Sequence, residues 1–566
     1  MAEYMTDVQA ALVADAQVRE AAVVSADGRL VAYVVPERAA DAIDGPAASV
    51  DSWRAVFDDI HEAVGADDRP LEETATTGWD DSFTGQAIAP AQMREWVDTT
   101  VERITALRPK RVLEIGAGTG LLVRPLVAAG TVETYVATDF TPSAIGVLDQ
   151  LADELKRTVP TTEVVVAKAD AVDAAGVADG EYDVVVVNSV VQYFPSLRYL
   201  DEVLDAALAV VRPGGHVVLG DLRNQVLADA FFALKRELRG DAPDTIRESI
   251  RHERNQDREL SVDPAWLAAA PARLPRVTHV EIAPRRGESA TEMTLFRYDA
   301  VLHVDCAHVP EQVAAQPGSA LVLSALERRL SGETDPFGYL AVPNGRLDEA
   351  LAARDSHGFA PEGGAAPKGV GIDPEVLSRM GERYGWLVRT SWAGADRDGA
   401  FDVSFLPPPV AATTHFLVAD PVSAGPVVAE VFPPGVATAF AERVRAGLVD
   451  RLPAERVPLD VVCVTALPRT SDGALDVAAL PPPRSGSTVA RTAPVAAGTS
   501  VLDLIREVYS ARLGKPCGPD DNFFALGGES FIAAMCVRDL RERGMTVAIR
   551  DLFTHNTPRT LAERLA

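Results

Sequence analysis

Apolar and polar positions along the middle of this chain follow two alternating periods. Short apolar runs such as Val112–Ile115 have the length of strands, and the segments between them place apolar residues at helical spacing. The alternation extends from about residue 51 to residue 410. It predicts one α/β domain, spanning 51–410, with a largely parallel sheet.

The segments on either side of this domain have other patterns. Residues 1–45 read as helix, strand, turn and strand, with Asp27-Gly28 at the turn, and residues 411–480 read as a second short α/β piece. Residues 481–499 are rich in proline, serine, glycine and alanine and predict a flexible linker. Residues 500–566 have helical spacing and predict a small bundle of four helices.

The composition limits the partners of the chain. Its formal net charge of -28 repels phosphate backbones and anionic lipid, so we expect neither nucleic acid nor membrane as a partner. The sequence shows no apolar stretch long enough to span a bilayer and no signal peptide pattern at its N-terminus. The 4 cysteines are scattered without a C-x-x-C pair, which predicts reduced thiols, no metal site and a cytoplasmic location.

A glycine-rich loop follows the first strand of the middle domain. In "VLEIGAGTG", Glu114 precedes Gly116, Gly118 and Gly120. Glycines at such a place let the backbone turn tightly and approach a ligand without a Cβ in the way. Their spacing is G-x-G-x-G, which differs from the G-x-G-x-x-G of dinucleotide folds. Tight packing alone would also explain a single loop of this kind.

Polar residues end the strands that follow. Asp139 comes about 20 residues after the glycines, where an acid can bind two ribose hydroxyls, and Asp170 ends the next strand, where it can reach an adenine amine. Asn188 ends the fourth strand, and 276–286 and 296–304 suit an antiparallel hairpin that closes the sheet. A nucleotide-free α/β core with acids at its strand ends by chance is the alternative interpretation.

This arrangement resembles the class I S-adenosylmethionine-dependent methyltransferases. The resemblance implies a cofactor site for S-adenosylmethionine made by the following residues: Glu114, Gly116, Gly118, Gly120, Asp139, Phe140, Asp170 and Asn188. Across nearly all of 70–405 the chain is most similar to the methyltransferase domains embedded in nonribosomal peptide synthetases, through "NSVVQYFPSLRYL", "RELSVDPAW", "FRYDAVLHV" and "GIDPEVLSRMGERYGWLV". In that family the usual reaction is N-methylation of an aminoacyl group tethered to a carrier.

The flanking segments resemble the two parts of the small C-terminal subdomain of an adenylation domain, namely residues 1–45 and, within 411–480, residues from about 436 onward. The methyltransferase domain is therefore expected to be inserted in that subdomain. The family motif L-P-x-T-x-x-G-K-x-D is matched at the following positions: Leu467, Pro468, Thr470, Gly473 and Asp476. Ala474 stands where the catalytic lysine belongs, and no adenylation core precedes Met1, so we expect no autonomous adenylation activity.

The last segment, 500–566, resembles a peptidyl carrier domain. Its "LGGES" matches the Gly-Gly-x-Ser signature at a helix start, so the resemblance implies that Ser530 carries a covalent 4'-phosphopantetheine. A serine at a helix start can also be a simple N-cap. The implied partners are a phosphopantetheinyl transferase, an external adenylating enzyme that loads the arm, and downstream synthetase domains.

The function expected from this resemblance is methyl transfer from S-adenosylmethionine to the α-amine of an aminoacyl thioester. An ammonium has no lone pair, so a nearby group must accept a proton before the nitrogen attacks. Tyr193 and Glu259 are the candidates, with Arg223 orienting the thioester carbonyl. Each of the three could instead have only a structural role. The alternatives are O-, S- or C-methylation, an inactive methyltransferase that serves as a carrier scaffold, and self-sufficient adenylation.

Overall fold

The computed structural model describes most of the chain. The described residues are 2–15, 18–26, 29–36, 50, 53–54, 57–58, 60–61, 76, 79–177, 180–241, 246–247, 249–250, 253–254, 257, 259–306, 311–359, 371–394, 396–407, 416–417, 444–445, 447–448, 458, 460–464, 467, 475, 480, 500–513, 516–524, 526, 528 and 530–565. The predicted turn at Asp27-Gly28, the lysine-replacing Ala474 and the linker 481–499 lie outside them.

The strands of the described residues are numbered in chain order. They are β1 (Val18–Ala26), β2 (Arg29–Pro36), β3 (Arg111–Ile115), β4 (Thr134–Asp139), β5 (Glu163–Lys168), β6 (Tyr182–Asn188), β7 (Val211–Arg223), β8 (Val277–Pro284), β9 (Arg297–Val304), β10 (Glu311–Gln312), β11 (Ala315–Pro317), β12 (Phe337–Val342), β13 (Leu387–Ser391), β14 (Phe401–Leu406), β15 (Phe416–Leu417) and β16 (Asp460–Cys463).

The α-helices are numbered in the same way. They are α1 (Ala2–Val13), α2 (Pro90–Ala106), α3 (Val123–Ala128), α4 (Pro142–Thr158), α5 (Leu197–Val210), α6 (Ala228–Leu238), α7 (Pro264–Ala268), α8 (Ala270–Arg273), α9 (Glu292–Phe296), α10 (Leu323–Gly332), α11 (Asp348–Ser356), α12 (Pro374–Tyr384), α13 (Val501–Leu513), α14 (Ser530–Glu542), α15 (Ile549–Thr554) and α16 (Pro558–Leu565). No helix among the described residues is both long enough and apolar enough to cross a membrane.

Two compact units make up the chain. One contains Met1–Trp53, Asn255–Glu259 and Gly425–Ala566, and the other contains Arg54–Arg254 and Leu260–Ala424. The domain boundaries drawn from the sequence remain predictions.

A seven-stranded sheet forms the centre of the second unit. Its strand order is β5-β4-β3-β6-β7-β9-β8, with β3 to β7 parallel and β9 antiparallel to both of its neighbours. This order is that of the class I methyltransferase fold, and the predicted closing hairpin is confirmed as β8 and β9. The strand β6 is buried on both faces from Val184 to Val187, which explains why its apolar run is continuous instead of alternating.

A second sheet lies further along the same unit. Its order is β11-β12-β14-β13, and all pairings except β11 with β12 are antiparallel. The rings of Phe337 and Phe405 stack in its core with centroids 5.0 Å apart. The backbone N–H of Trp392, just after β13, donates to the Ile282 carbonyl of β8 at 2.9 Å, so the second sheet is joined to the edge of the first. The sequence pattern did not separate this sheet from the larger one.

In the first unit, the two flanking segments of the chain meet in one sheet. The hairpin of β1 and β2 is antiparallel, and β16, from the far segment, pairs with β2 in parallel. Val8 and Leu12 of α1 pack on one face of this sheet together with Val444 and Leu448. More than four hundred positions of sequence thus separate strands that share hydrogen bonds, as an insertion between them requires.

The four predicted helices at the end of the chain are confirmed as α13 to α16. Tyr509 of α13 and Phe523 pack in the apolar centre with ring centroids 4.7 Å apart. The Arg512 guanidinium donates two hydrogen bonds of 2.7 Å to the Asp539 carboxylate and joins α13 to α14. The Thr557 hydroxyl accepts from the Thr560 N–H and caps α16, as expected for its Thr-Pro start.

Candidate methyl-donor and carrier sites

The glycine-rich loop after β3 has the tight backbone that its sequence predicts. Gly116 has φ +77°, and a Cβ added there would lie 2.5 Å from a Val190 methyl group. A Cβ on Gly120, at φ +82°, would lie 2.4 Å from a Leu151 methyl group. Larger residues would therefore meet both strain and steric clash. The Gly116 N–H donates to the Thr138 carbonyl at 2.9 Å, which holds the loop against the end of β4.

Asp139 organises this loop from the end of β4. Its buried carboxylate accepts from the Gly118 N–H at 3.0 Å through Oδ2, and from the Thr141 N–H and hydroxyl at 2.9 Å through Oδ1. The acid expected to bind the ribose therefore also fixes the position of the glycine loop. Its negative charge lies at the carboxyl edge of the parallel strands, where ligands of open α/β sheets bind.

Glu114, in β3, lies inside the fold beneath the loop. The Tyr135 hydroxyl donates to Glu114 Oε2 at 2.7 Å, and both side chains are almost fully buried. Burial raises the pKa of Glu114 to about 7, against the opposing effect of the Tyr135 hydrogen bond. The structure therefore gives Glu114 a partner within the protein, and its contact with the cofactor stays a prediction.

Asp170 and Phe140 lie at the β5 side of the same edge. Asp170 follows the last residue of β5 by two positions, and its Oδ1 accepts from Arg54 Nη2 at 2.6 Å. The same guanidinium lies 5.4 Å from the centre of the Phe140 ring. Burial, together with the charge of Asp170, raises the pKa of the nearby Tyr199 to about 12. Arg54 thus contacts both Asp170, which the sequence analysis assigned to the adenine amine, and Phe140, which it assigned to the cofactor site.

A polar network underlies the ends of β6 and β7. Among the described residues, Asn188 Oδ1 and Gln192 Oε1 are buried without a hydrogen-bond partner. Next to them, the Ser189 hydroxyl donates to Asp221 Oδ2 at 2.8 Å, and both Ser189 (φ +56°) and Asp221 (φ +61°) have left-handed backbone. Such strain is typical of functional sites. Burial favours protonation of Asp221, but the Arg297 and Arg285 guanidinium groups, together with the hydrogen bonds from Ser189 and Trp96, outweigh it and hold the pKa of Asp221 below its usual value.

A segment ahead of the sheet covers the glycine loop. We call it the 54–61 segment, and its described residues, which are helical, are Arg54, Phe57, Asp58, Ile60 and His61. His61 Nδ1 lies 3.0 Å from the Thr141 hydroxyl, and Asp58 Oδ1 accepts from the Ser143 hydroxyl at 2.6 Å. Burial lowers the pKa of His61 despite the nearby Asp139 and Asp58 carboxylates, so its imidazole is neutral near pH 7.

The predicted catalytic residues differ in their surroundings. The ring of Tyr193 packs on that of Phe57, with centroids 4.8 Å apart. Arg223 ends β7, and its guanidinium lies 5.7 Å from the Phe231 ring. Glu259 is half-buried, and its N–H donates to an Asp257 carboxylate oxygen at 3.1 Å. The structure therefore brings Tyr193 against the 54–61 segment, and the catalytic roles of Tyr193, Arg223 and Glu259 remain predictions.

The sequence analysis missed the 54–61 segment and the Asp221 network. Phe57 and His61 stand four positions apart, so they share one helix face, and that spacing was the available signal. This spacing did not indicate which residues the helix face would contact. His61 contacts Thr141, 80 positions away in the chain, and Arg54 contacts Asp170, 116 positions away.

The residues of the pocket fit S-adenosylmethionine. A Cβ on Gly118 would have only His61 Nε2, 3.6 Å away, as a neighbour within 4 Å among the described residues, so this glycine leaves room beside the loop. Asp139 supplies a carboxylate acceptor, and the buried Asn188 oxygen, which lacks a partner among the described residues, can accept from a polar group of the cofactor. Aromatic rings of Phe57, Phe140 and Tyr193 form the apolar part of the wall. A nucleoside with a charged sulfonium tail needs this combination of acid, amide and apolar surface.

The carrier signature lies where a helix begins. Ser530 is the first residue of α14. Upstream, a Cβ on Gly528 would lie 2.2 Å from the Phe523 ring, so this glycine packs directly on the apolar centre of the bundle. The Gly528 N–H donates to the Phe523 carbonyl at 2.9 Å and closes the loop before the helix. The loop thus has a packing reason for its glycine in addition to any role in modification.

Family models match both sites. A methyltransferase domain model matches residues 113–217, and a phosphopantetheine attachment site model matches residues 501–565. These ranges contain the glycine loop and Ser530 respectively. The cofactors of the chain are accordingly S-adenosylmethionine and covalent 4'-phosphopantetheine.

Similar curated proteins are synthetases of which this chain spans only a small part. The chain is 34% identical over 94% of its length to chondramide synthase cmdD of Chondromyces crocatus, of which it spans 14%. It is 32% identical over 99% of its length to the probable non-canonical nonribosomal peptide synthetase CymA of Salinispora arenicola, of which it spans 7%. A solved methyltransferase, magnesium protoporphyrin IX methyltransferase from Synechocystis PCC 6803 with bound SAH, is 16% identical, and the alignment covers 45% of this chain and 93% of that one with a TM-score of 0.28.

The two family matches and the synthetase relatives agree with the strand order of the sheet. They identify an S-adenosylmethionine-dependent methyltransferase domain followed by a carrier domain, and this combination fits a methyltransferase and carrier segment of a nonribosomal peptide synthetase.

Proposed function

We propose that this chain methylates the α-amine of an aminoacyl group held as a thioester on the 4'-phosphopantetheine of Ser530. The observation that carries the proposal is the presence, in one chain, of a donor pocket ordered by Asp139 and a carrier signature at the start of α14. A carrier on the same chain as a methyltransferase supplies a tethered substrate at high effective concentration, so no separate substrate-binding domain is needed.

In this proposal, different residues bind different parts of S-adenosylmethionine. Asp139 binds the ribose hydroxyls, Asp170 accepts from the adenine amine, and Asn188 accepts from a polar group near the reacting end. S-adenosylmethionine supplies an electrophilic methyl group on a positively charged sulfur, which an amine nitrogen attacks with its lone pair. Phe57 and Tyr193 exclude water from one side of the pocket because their rings are in contact at 4.8 Å.

The pocket has to hold the amine in its neutral form. An α-amine has a pKa of about 7.7–8.0, so a substantial fraction of it is neutral close to physiological pH. The demand on a base is therefore small, and the main contribution of the pocket is orientation of the nitrogen. Tyr193 can orient the amine through a hydrogen bond to its hydroxyl oxygen, or relay the departing proton by passing its own hydroxyl proton on to water. Glu259 is the candidate that accepts the proton itself, and Arg223 orients the thioester carbonyl.

The flanking sheet supports the proposed setting of the domain. Pairing of β16 with β2 joins the two segments that resemble an adenylation-type subdomain, and the methyltransferase residues lie between these segments in the sequence. Ala474 replaces the lysine of that subdomain, so we propose that an external adenylating enzyme loads the carrier. A phosphopantetheinyl transferase adds the arm, and downstream synthetase domains accept the methylated product.

The test uses the full chain with its arm. A phosphopantetheinyl transferase transfers an aminoacyl-phosphopantetheine from aminoacyl-coenzyme A to Ser530, and labelled S-adenosylmethionine is then added. We expect label on the carrier-bound amino acid, none with Ser530→Ala, and little with the free amino acid. A carrier that stays unlabelled while the protein binds the donor would indicate the scaffold alternative and overturn the proposal.

A further inference from the structure

A row of three histidines crosses the edge of the large sheet on the strands β7, β9 and β8. His216 on β7, His303 on β9 and His279 on β8 are direct cross-strand partners in the antiparallel pairings. The rings of His216 and His303 are 4.8 Å apart, and those of His303 and His279 are 4.0 Å apart with planes 6° from parallel. Three of the 9 histidines of the chain are thus in contact in one row.

A carboxylate lies on the same side of β8. Glu281 is two residues from His279, so both side chains point to one face of the strand. Its Oε1 is 3.4 Å from His303 Nε2, and its Oε2 is 4.0 Å from Arg389 Nη1. One ligand atom from each of His279, Glu281 and His303 lies within 4.8 Å of the other two. His279 and His303 are buried, and Glu281 is half-buried.

We propose that His279, Glu281 and His303 bind a divalent transition metal ion of the zinc type. Two imidazole nitrogens and a carboxylate oxygen are the ligands that Zn²⁺ takes at three-residue sites. Bond lengths of about 2.0–2.1 Å in tetrahedral geometry place ligand atoms roughly 3.4 Å apart, which matches the His303 to Glu281 distance. The lone pairs of two parallel rings do not converge, so binding turns the His279 ring about its Cβ–Cγ bond towards His303.

The position of this site indicates a structural role. On β7, His216 pairs with Val184 of β6, whereas Gly220, four residues on, pairs with Asn188 of the donor pocket. Four strand residues span about 13 Å, so the histidine row lies toward the opposite end of the sheet from the donor. A metal ion there would join β8 to β9, the closing hairpin. It should stabilise the fold without changing the affinity for S-adenosylmethionine.

The test is metal binding by the full chain after treatment with a chelator and dialysis. We expect the wild type to take up one equivalent of Zn²⁺, to give the visible absorption of tetrahedral Co²⁺ when Co²⁺ is used, and to melt at a higher temperature with the metal. His279→Gln and Glu281→Gln should each weaken metal affinity by at least tenfold. His357→Gln is the matched control, because it removes another imidazole and carboxylate pair, His357 Nε2 with Glu237 Oε1 at 2.8 Å.

The proposal can be tested even if one of the variants folds poorly. Circular dichroism and S-adenosylmethionine binding, both measured without metal, report whether His279→Gln is folded. Glu281 is only half-buried, so Glu281→Gln should disturb the packing of the core less. A wild type without stoichiometric uptake overturns the site. So does uptake that Glu281→Gln and His279→Gln leave unchanged, because the metal is then bound elsewhere, for instance by the cysteines.

Discussion

Arg54 Nη2 and Asp170 Oδ1 are 2.6 Å apart, so a residue ahead of the sheet pairs with the acid that follows β5. Both side chains are about one third exposed, and ion pairs of that kind contribute little to stability. The Arg54–Asp170 ion pair instead shows which segment lies next to the proposed adenine end of the site. Arg54 belongs to the 54–61 segment, which also contacts the donor pocket through Phe57 and His61, so the pocket has a wall that comes from outside the sheet.

Removal of the Asp170 carboxylate should weaken donor binding through the adenine amine. We expect Asp170→Ala to raise the Kd of S-adenosylmethionine about tenfold, the loss typical of one hydrogen bond to a charged group. The wild type should bind an analogue with hydrogen in place of that amine more weakly by a similar factor, and the variant should not distinguish the two ligands. Calorimetry measures both constants.

Asp173→Ala is the control for this measurement, because Asp173 is an exposed acid three residues further on. If Asp170→Ala still prefers the amine-bearing ligand, Asp170 does not contact the adenine.

Substitution of Asp139 should weaken S-adenosylmethionine binding more than substitution of Asp170, because Asp139 is expected to bind the ribose and also orders the glycine loop. We expect Asp139→Asn to weaken S-adenosylmethionine binding by roughly 1.5–3 kcal/mol, which is the range for hydrogen bonds to charged groups. Thr141→Val removes the hydroxyl that donates to Asp139 at 2.9 Å but keeps the carboxylate. Its Kd should change much less than that of Asp139→Asn. Equal affinities of wild type and folded Asp139→Asn would contradict the assignment.

Glu114 should make stability depend on pH. Its pKa rises from 4.5 to about 7 on burial, so between these values the folded protein holds a proton that the unfolded chain has released. The free energy of unfolding contributed by this group therefore falls as pH rises through that window, and Glu114→Gln removes the fall. Melting temperatures measured from pH 5 to 7.5 should shift in favour of the variant as pH increases.

The matched control for Glu114 is Glu163→Gln, at the exposed start of β5. Its melting temperature should differ from that of the wild type by an amount that does not grow with pH. A constant difference for Glu114→Gln as well would show that Glu114 is ionised alike in the folded and unfolded states.

Tyr193 should affect turnover more than donor binding. Tyr193→Phe keeps the ring that contacts Phe57 at 4.8 Å and removes only the hydroxyl. If that hydroxyl relays the proton or orients the amine, kcat should fall by about 10²-fold, the lower end for general acid–base groups, while the donor Kd stays the same. Tyr193→Ala should also weaken S-adenosylmethionine binding, because it removes a ring that forms part of the pocket wall. A Tyr193→Phe variant with wild-type kcat would leave the tyrosine with a packing role alone.

The sequence predicted those parts of the fold and site that depend on local pattern. The glycine loop, Asp139 and Asn188 all stand at the ends of apolar strands, and strand ends are visible in a single segment. Arg54 and His61 were missed because their partners lie 116 and 80 positions away, and no local pattern specifies such a pairing. The second sheet was missed for a similar reason, since β12 and β14 pair across about sixty residues of chain.

The measurement that most directly tests the central claim identifies the atom that receives the methyl group. The carrier is loaded with a ¹⁵N-labelled amino acid, incubated with S-adenosylmethionine that carries a ¹³C methyl group, and the product is released by thioester cleavage. Our account predicts one-bond coupling between ¹³C and ¹⁵N in the nuclear magnetic resonance spectrum of the product. A ¹³C methyl signal without coupling to ¹⁵N would place the methyl group on oxygen, sulfur or carbon and would contradict N-methylation.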